Sequence, residues 1–469
     1  MSTNTASPIA ELLESDTEEL DKGESVGERT PVLESAALRA TFWTVVDYGC
    51  SMALRVANSL ILTRLLMPES FGLMALVSTL VVGLSLMSDI GLGTSVIRSS
   101  RGDDPALLNT VWTLQVVRGV AIFVVLLILT WPMSRFYHEP RLLTLLPALG
   151  ISVVISGFNS TNLLSMYRHM GVRRLSALDI IAQIAGLLIM IGCAYAFRSV
   201  WALIIGTIAN TVLRLALSFH RGLIPGIRNR FCWDRESLHS LVHFGKWILL
   251  STAFYFFASQ ADRLILARLI SFSLLGVYSI AYTASDIPRA IINAFAQKVG
   301  YPFIAKMAHL PIAEFRKVFL RYRFLALLAG GTMLCLMVYL GGFLVTKMYD
   351  RRYHAASWMV PVLALGLWHT LMYATTMPAL LTLGKSQYQA IGNGLYCATM
   401  LLAIPLGFHF FGMFGAVVAV AVGDFPFYIV LVCAASREGV STWRQDLQTT
   451  GIFLSLLGIG FGLRMLIAG

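Results

Sequence analysis

Apolar residues run in long blocks along this chain, near residues 41–63, 71–97, 110–131, 143–166, 175–197, 200–220, 245–268, 273–298, 324–346, 357–383, 389–410, 412–435 and 450–467, with polar breaks between them. Each block is about twenty residues long, which at about 1.5 Å rise per residue crosses a hydrocarbon core of about 30 Å. In lipid every backbone N–H and C=O must be paired within the segment, so these blocks predict helices. The expected fold is an all-α integral membrane protein of about thirteen transmembrane helices. Two six-helix bundles would surround a central cavity, with one extra C-terminal helix.

The polar breaks set an orientation. With the N-terminus cytoplasmic, the inside connections collect nineteen Lys and Arg and the outside ones eight, the asymmetry expected of a multi-pass membrane protein. Residues 1–38 carry nine Asp or Glu against Lys22 and Arg29. They lack the basic and short apolar regions of a signal peptide and read as a disordered cytoplasmic tail. The predicted units are an N-terminal bundle over 39–220, a cytoplasmic linker over 221–244, a C-terminal bundle over 245–435, and a loop with the extra helix over 436–469. Within the second bundle, 299–323 alternates Lys306, Arg316, Lys317, Arg321 and Arg323 with apolar residues, the pattern of a helix lying on the inner leaflet.

Composition narrows the functional classes. Hydrophobic residues make up 57% of the 469 and charged ones only 13%; a soluble domain carries roughly 25% charge, so there is little sequence left for a soluble catalytic domain. Mean hydropathy is +0.72. The net charge of +11 is distributed over alternate connections and forms no nucleic-acid-binding arm. Six dispersed cysteines make neither a disulfide framework nor a metal site. His239 and His243, four apart and near Cys232, have a spacing that suits a metal or simply a solvated segment. Gly384-Lys385-Ser386 echoes a phosphate loop, but Ala379 stands where its first glycine belongs. No cofactor or metal is expected, and no ATP hydrolysis.

An internal repeat adds detail. A shift of 204 residues sets Trp43 on Trp247, Ala57 on Ala261, Leu60-Ile61-Leu62 on Leu264-Ile265-Leu266, Arg64-Leu65 on Arg268-Leu269, Gly72 on Gly276 and Thr79 on Thr283. Two similar halves are an arrangement recurrent in secondary transporters. The same shift aligns polar stripes: Tyr48, Ser51, Arg55 and Asn58, with Asp47 at their border, fall on Thr252, Tyr255, Ser259 and Asp262. Ser78, Ser85 and Asp89 fall on Tyr282, Arg289 and Asn293. Such faces predict either a wet central cavity or polar packing between helices. Further intramembrane ionisable groups are Arg118, Asp179, Arg214, Arg263 and Asp424. Arg55, Arg118 and Arg289 lie deepest and point to an anionic ligand, for which phosphate best matches the guanidinium fork. Arg289 could equally be the ion-pair partner of Asp286, one turn away. Asp47, Asp89, Asp286 and Asp424 are candidates for ion coupling.

Several motifs resemble one family. Arg64-Leu65-Leu66-Met67-Pro68-Glu69-Ser70-Phe71-Gly72, Asp89-Ile90-Gly91-Leu92-Gly93, Asp262-Arg263 with Leu275-Gly276-Val277-Tyr278 and Ala281-Tyr282, then Pro302, Gly384-Lys385, Asn393 and Gly412-Met413-Phe414-Gly415-Ala416 follow the order found in bacterial polysaccharide exporters and O-antigen flippases. Met67 replaces the family's usual glycine, and thirteen helices depart from its usual twelve or fourteen. The resemblance implies the superfamily of multidrug extruders and the lipid II flippase. It also implies two bundles forming a V around a cationic cavity, and undecaprenyl-pyrophosphate-linked oligosaccharides as cargo. The expected partners are that lipid-linked sugar, the bilayer, and the polymerase and chain-length machinery. The polar stripes and intramembrane arginines give the candidate substrate-binding residues Arg55, Arg118, Arg289, Arg263, Arg214, Tyr48, Asn58, Tyr255, Ser259, Asp262 and Tyr282. Three other readings make different predictions. A multidrug cation antiporter needs a carboxylate-lined cavity. A membrane glycosyltransferase or polymerase needs large outside loops. A scaffold of the assembly machinery would move no substrate.

Overall fold

The computed structural model describes residues 49–468 apart from 90, 99–100, 170, 221, 223, 225, 296–303, 305–310 and 386. The acidic tail, Asp47 and Tyr48 lie outside the described residues. Among those described, every regular element is helical: α1 (49–65), α2 (Pro68–Met87), α3 (Leu92–Arg98), α4 (Pro105–Tyr137), α5 (Leu142–Gly157), α6 (Asn162–Arg168), α7 (Val172–Phe197), α8 (Trp201–Ser218), α9 (Arg235–Leu269), α10 (Phe272–Ser285), α11 (Ile287–Phe295), α12 (Ile312–Met348), α13 (Ala356–Thr382), α14 (Gln387–Val422), α15 (Phe425–Arg437) and α16 (Trp443–Ala468). Six spans among the described residues are long and apolar enough to cross a membrane, or seven if α5 and α6, bent by 63°, form one.

The apolar blocks thus fold as helices, several of them broken. Block 71–97 is interrupted after Met87, where Asp89 Oδ1 accepts from the Gly91 N–H at 3.1 Å and Gly91 takes φ 66°. Block 273–298 breaks at Asp286. Pro288, second residue of α11, has no N–H for the preceding turn and is tolerated only at a helix start. Helix α14 contains two blocks. Gly412 stands at φ 58° and ψ −144°, and the chain reverses there. A Cβ on Gly415 would lie 2.1 Å from the Gly407 carbonyl oxygen, whereas eight residues of straight helix would separate the two by about 12 Å.

Two boundaries differ from expectation. Helix α9 begins at Arg235, so the second part of the expected 221–244 linker is already helical. The segment expected to lie on the inner leaflet instead enters α12 from Ile312. Arg316, Lys317 and Arg321 are exposed, but Phe315 and Phe319 pack with Ile304, Ala379, Ala435 and Val440. The apolar face that suggested lipid is covered by protein. Arg323 is fully buried: its guanidinium pairs with Asp446 at 2.5 Å and bonds Thr376, Gln445 and the Met372 carbonyl. This network ties α12 and α13 to the extra helix α16.

In the N-terminal half α5 packs on α2, α4 and α8, and α7 on α8; in the C-terminal half α13 packs on α10, α12, α14 and α15, and α16 on α12. The halves meet where α2 contacts α9 and α10. One large core cluster spans both halves, with Leu73, Leu76 and Val77 from α2 beside Leu275, Tyr278 and Ala281 from α10.

Candidate functional site

The helix end that carries Met67, Ile270 and Tyr349 joins the halves tightly. Tyr353 Oη donates to the Leu66 carbonyl at 3.1 Å, and Arg352 donates to the carbonyls of Thr63 and Arg64 at 3.3 and 3.1 Å. Those carbonyls end α1, where no intrahelical donor remains, so the arginine serves as a cap from the opposite half. Tyr349 Oη lies 3.4 Å from Ser59 Oγ, and Tyr137 Oη donates to the Leu264 carbonyl at 3.3 Å.

Behind this closure a cavity of about 460 Å³ opens between the halves. Its walls are Arg55, Asn58, Ser59 and Leu62 of α1, Phe71, Met74, Ala75, Ser78, Thr79 and Val82 of α2, Met190 of α7, Leu203 and Thr207 of α8, Gln260 and Arg263 of α9, and Ser279, Ile280 and Thr283 of α10. The i, i+3, i+4 spacing of the α1 and α2 residues is what turns them to one side. Among the described lining residues the only charges are the cations Arg55 and Arg263. The Arg263 guanidinium sits 4.9 Å from the centroid of the Tyr282 ring and donates to Gln260 Oε1 at 2.5 Å. Asn58 Nδ2 contacts Met190 Sδ at 3.7 Å, and its buried Oδ1 has no partner among the described residues.

The other expected site residues separate into different environments. Arg118 does not line the cavity. Its Nε donates to Ser88 Oγ at 3.0 Å, its Nη2 to the Ser85 carbonyl, and Asp89 lies 3.6 Å away, so it fastens α4 to the break after α2. Arg289 pairs with Asp286 at 2.5 Å and donates to Tyr282 Oη at 3.2 Å; the ion-pair alternative describes its geometry. Arg214 pairs with Asp179 at 2.7 Å between α8 and α7. Tyr255 is 52% exposed and outside the cavity wall, and Ser259 bonds its own helix at the Phe256 carbonyl. Asp262 is buried and accepts from Tyr278 Oη at 2.6 Å. The expectation that all these stripes share one cavity does not hold for α9: Thr252, Tyr255, Ser259 and Asp262 are not in the cavity wall, and among the described residues of this helix Gln260 and Arg263 line it.

A second polar centre lies wholly in the C-terminal half. Tyr282, Ser285, Asp286, Arg289, Thr370, Tyr396 and Asp424, with apolar neighbours, line a pocket of about 30 Å³. The Asp424 carboxylate, 6% exposed, is held at one oxygen by His369 Nε2 and at the other by Thr370 Oγ1 at 2.6 Å and Tyr373 Oη at 3.0 Å. Sequence reasoning found Asp424 and Asp286 but missed His369, Thr370, Tyr373 and Gln260. A buried carboxylate must have partners, which was the available signal for a search, but nothing in the sequence points 55 residues back to His369.

Comparison with known proteins places the chain. The family described as Polysaccharide biosynthesis protein matches residues 61–357, more than half of it. The amylovoran biosynthesis protein AmsL of Erwinia amylovora is 24% identical over 258 residues, covering 55% of this chain and 66% of that protein. Other curated relatives are covered over 56% to 70% of their length. Among solved structures, an inward-facing multidrug resistance MATE transporter of the MOP superfamily superposes with a TM-score of 0.63 at 13% identity, covering 89% of this chain and 98% of the other. The lipid II flippase MurJ in an inward closed conformation gives 0.57 at 11%, covering 94% and 98%. At such identities the structural likeness establishes the fold, which multidrug transporters and lipid flippases share. This multi-pass, all-helical membrane protein belongs to the polysaccharide biosynthesis protein family.

Proposed function

We propose that the chain is a flippase that carries an undecaprenyl-pyrophosphate-linked oligosaccharide from the cytoplasmic to the outer leaflet of the bacterial inner membrane, for surface polysaccharide assembly. The observation that supports this most directly is the central cavity, lined by two arginines and eight neutral polar side chains and, among its described residues, by no carboxylate. Arg55 and Arg263 replace Arg55, Arg118 and Arg289 as the anion-binding set, since Arg118 and Arg289 lie outside this cavity and pair with Asp89 and Asp286. A pyrophosphate would take charge-assisted bonds from the guanidinium forks, sugar hydroxyls would meet Asn58 Oδ1, Gln260 and the Ser and Thr residues, and the isoprenoid would stay in lipid. A multidrug cation carrier would place its carboxylates in this cavity, and the buried ones here are elsewhere.

With the N-terminus cytoplasmic, the end sealed by Arg352 and Tyr353 would face outward, as the inward-facing state of an alternating-access cycle requires. Delivery to the polymerase and chain-length machinery would follow from release at the outer leaflet. Deleting the gene in its host and measuring surface polysaccharide together with lipid-linked oligosaccharide tests the reading. Loss of the polymer with accumulation of its lipid-linked repeat is expected. Normal polymer, or loss with no accumulated repeat, would contradict it.

A further inference from the structure

The chain between α8 and α9 is laid across the N-terminal half by side chains that grip its backbone. Asn162 pairs with Ile227 in both directions, its Oδ1 accepting from the Ile227 N–H at 3.1 Å and its Nδ2 donating to the carbonyl at 2.9 Å. Ser160 Oγ donates to Asn229 Oδ1 at 2.8 Å. Beyond that point alternate backbone N–H groups, those of Arg230, Cys232 and Asp234, donate to Asn109 Oδ1, Thr113 Oγ1 and Thr110 Oγ1 of α4 at 2.9, 3.1 and 3.1 Å. Both threonine hydroxyls donate to carbonyls of their own helix, which leaves their lone pairs to accept from this strap. Alternation is the period of an extended chain, so Phe231 and Trp233 project to one face and Arg230 and Cys232 to the other. All four are exposed, as is Arg228.

The strap lies on the lipid side of α4. Thr113 begins, at spacings of three and four, the stripe Val117, Val120, Val124, Ile128 and Trp131, every apolar member of which is exposed. An exposed apolar stripe of this length on a membrane-spanning helix faces lipid, and none of it lines the central cavity. Asn109 to Thr113 covers only about 6 Å of helix axis, whereas an extended chain from Arg230 to Asp234 is about 13 Å long, so the strap crosses α4 in the plane of the membrane. Its depth is marked by Trp112, whose ring centroid is 4.8 Å from that of Phe231. Trp112 and Trp131 are nineteen residues apart. That is about 28 Å along the helix, which matches a hydrocarbon core of about 30 Å bounded by tryptophans. Phe231 and Trp233, 67% and 54% exposed, therefore stand at the edge of that core with arginines beside them.

We propose that residues 228–234 form an anionic-phospholipid site on the inner leaflet, with Phe231 and Trp233 seated at the top of the acyl chains and Arg228 and Arg230 on the headgroup phosphates. Aromatic rings favour this interface, and a guanidinium takes phosphate oxygens in pairs. The strap's single acid, Asp234, stands at its α9 end and leaves the segment net positive. The site continues the lipid-facing stripe of α4. The basic segment over 299–323 offers no such face, because its Phe315 and Phe319 are packed into protein. The chain passes between the halves here, and α9 starts at Arg235. Lipid held by the strap thus fixes where the second half begins relative to the bilayer. The proposal rests on the preceding reading only for which leaflet is the inner one, and not on the cargo.

The test uses the full-length protein in lipid nanodiscs and no substrate, so its outcome is independent of transport. A spin label is placed on Cys232 in a chain otherwise free of cysteine, and in separate variants on Arg230→Cys, Phe231→Cys and Trp233→Cys, each combined with Cys232→Ser. Collisions with oxygen, which concentrates in hydrocarbon, are compared with collisions with a water-soluble nickel chelate. Oxygen should dominate at positions 231 and 233 and nickel at 230 and 232. A fluorophore on Cys232 then reports headgroup-labelled lipids by energy transfer. Phosphatidylglycerol should be enriched there over phosphatidylcholine by about fivefold or more, the contribution of one arginine at an anionic surface. Arg228→Gln with Arg230→Gln should remove this preference, whereas Lys at both positions should keep most of it. Nickel-accessible labels at 231 and 233 would put the strap in water. Labels at those positions shielded from both reagents would put a protein over it. Either result, or a lipid preference that is absent or unchanged in the double Gln variant, would overturn the proposal.

Discussion

Gly72 and Gly276 meet reciprocally at the crossing of α2 and α10: a Cβ on Gly72 would lie 1.9 Å from the Phe272 carbonyl oxygen, and one on Gly276 would lie 1.9 Å from that of Pro68. The two glycines, and likewise Pro68 and Phe272, are 204 residues apart, so the internal repeat is realised as a local two-fold contact between the halves. Neither position tolerates even a methyl group without separating the backbones. Gly72→Ala should therefore disfavour the sealed end by about 1–3 kcal/mol, roughly fivefold or more in the ratio of closed to open forms. A cysteine replacing Ala75 in the cavity wall, labelled by an impermeant reagent from the periplasmic side, should react correspondingly faster.

The cap that Arg352 and Tyr353 place on α1 should act in the same direction and more weakly. Tyr353→Phe removes one hydrogen bond to the Leu66 carbonyl, a net effect of about 1 kcal/mol. Labelling of the same Ala75→Cys probe should rise severalfold, less than with Gly72→Ala, at unchanged protein abundance. Unaltered labelling would show that the cap plays no part in holding this end shut.

The extra helix should be integral to the fold. Arg323→Ala leaves Asp446 charged and unpaired in the interior, a loss of about 3–5 kcal/mol. Its melting temperature in detergent and its membrane abundance should drop sharply. The pair replaced together by Met and Leu should recover much of the loss. Truncation before Trp443 strips Arg323 of Asp446 and Gln445 and should behave like the single substitution.

Helix placement was legible because crossing a bilayer imposes length and apolarity on each segment separately. The repeat was legible because Gly72 and Gly276 have a steric requirement that composition cannot mimic. What the sequence concealed is pairing. Arg118 looked as deep as Arg55, but which face of α4 turns toward Ser85, Ser88 and Asp89 depends on packing. Arg289 and Asp286 could be paired from their one-turn spacing, whereas Asp424 and His369 belong to helices brought together only by the bundle. Arg323 read as a surface cation because its neighbours Lys317 and Arg321 are, while its position two residues after Arg321 and one turn after buried Phe319 places it among Thr376, Gln445 and Asp446.

The account turns on Arg55 and Arg263 as the ligands of a pyrophosphate in the cavity, and transport of a lipid-linked sugar measures this most directly. Protein reconstituted into vesicles would be supplied with a fluorescent undecaprenyl-pyrophosphate-linked sugar, and its exposure to an impermeant quencher followed. Wild type should move it well above the rate of protein-free vesicles. Arg55→Ala and Arg263→Ala should each cut the rate at least about tenfold, the loss of a charge-assisted bond of about 1.5–3 kcal/mol. The corresponding Lys variants should fall between, and Arg214→Ala, whose partner is Asp179, should stay near wild type at matched protein. Transport by both alanine variants at the wild-type rate, or no transport by wild type, would contradict the account.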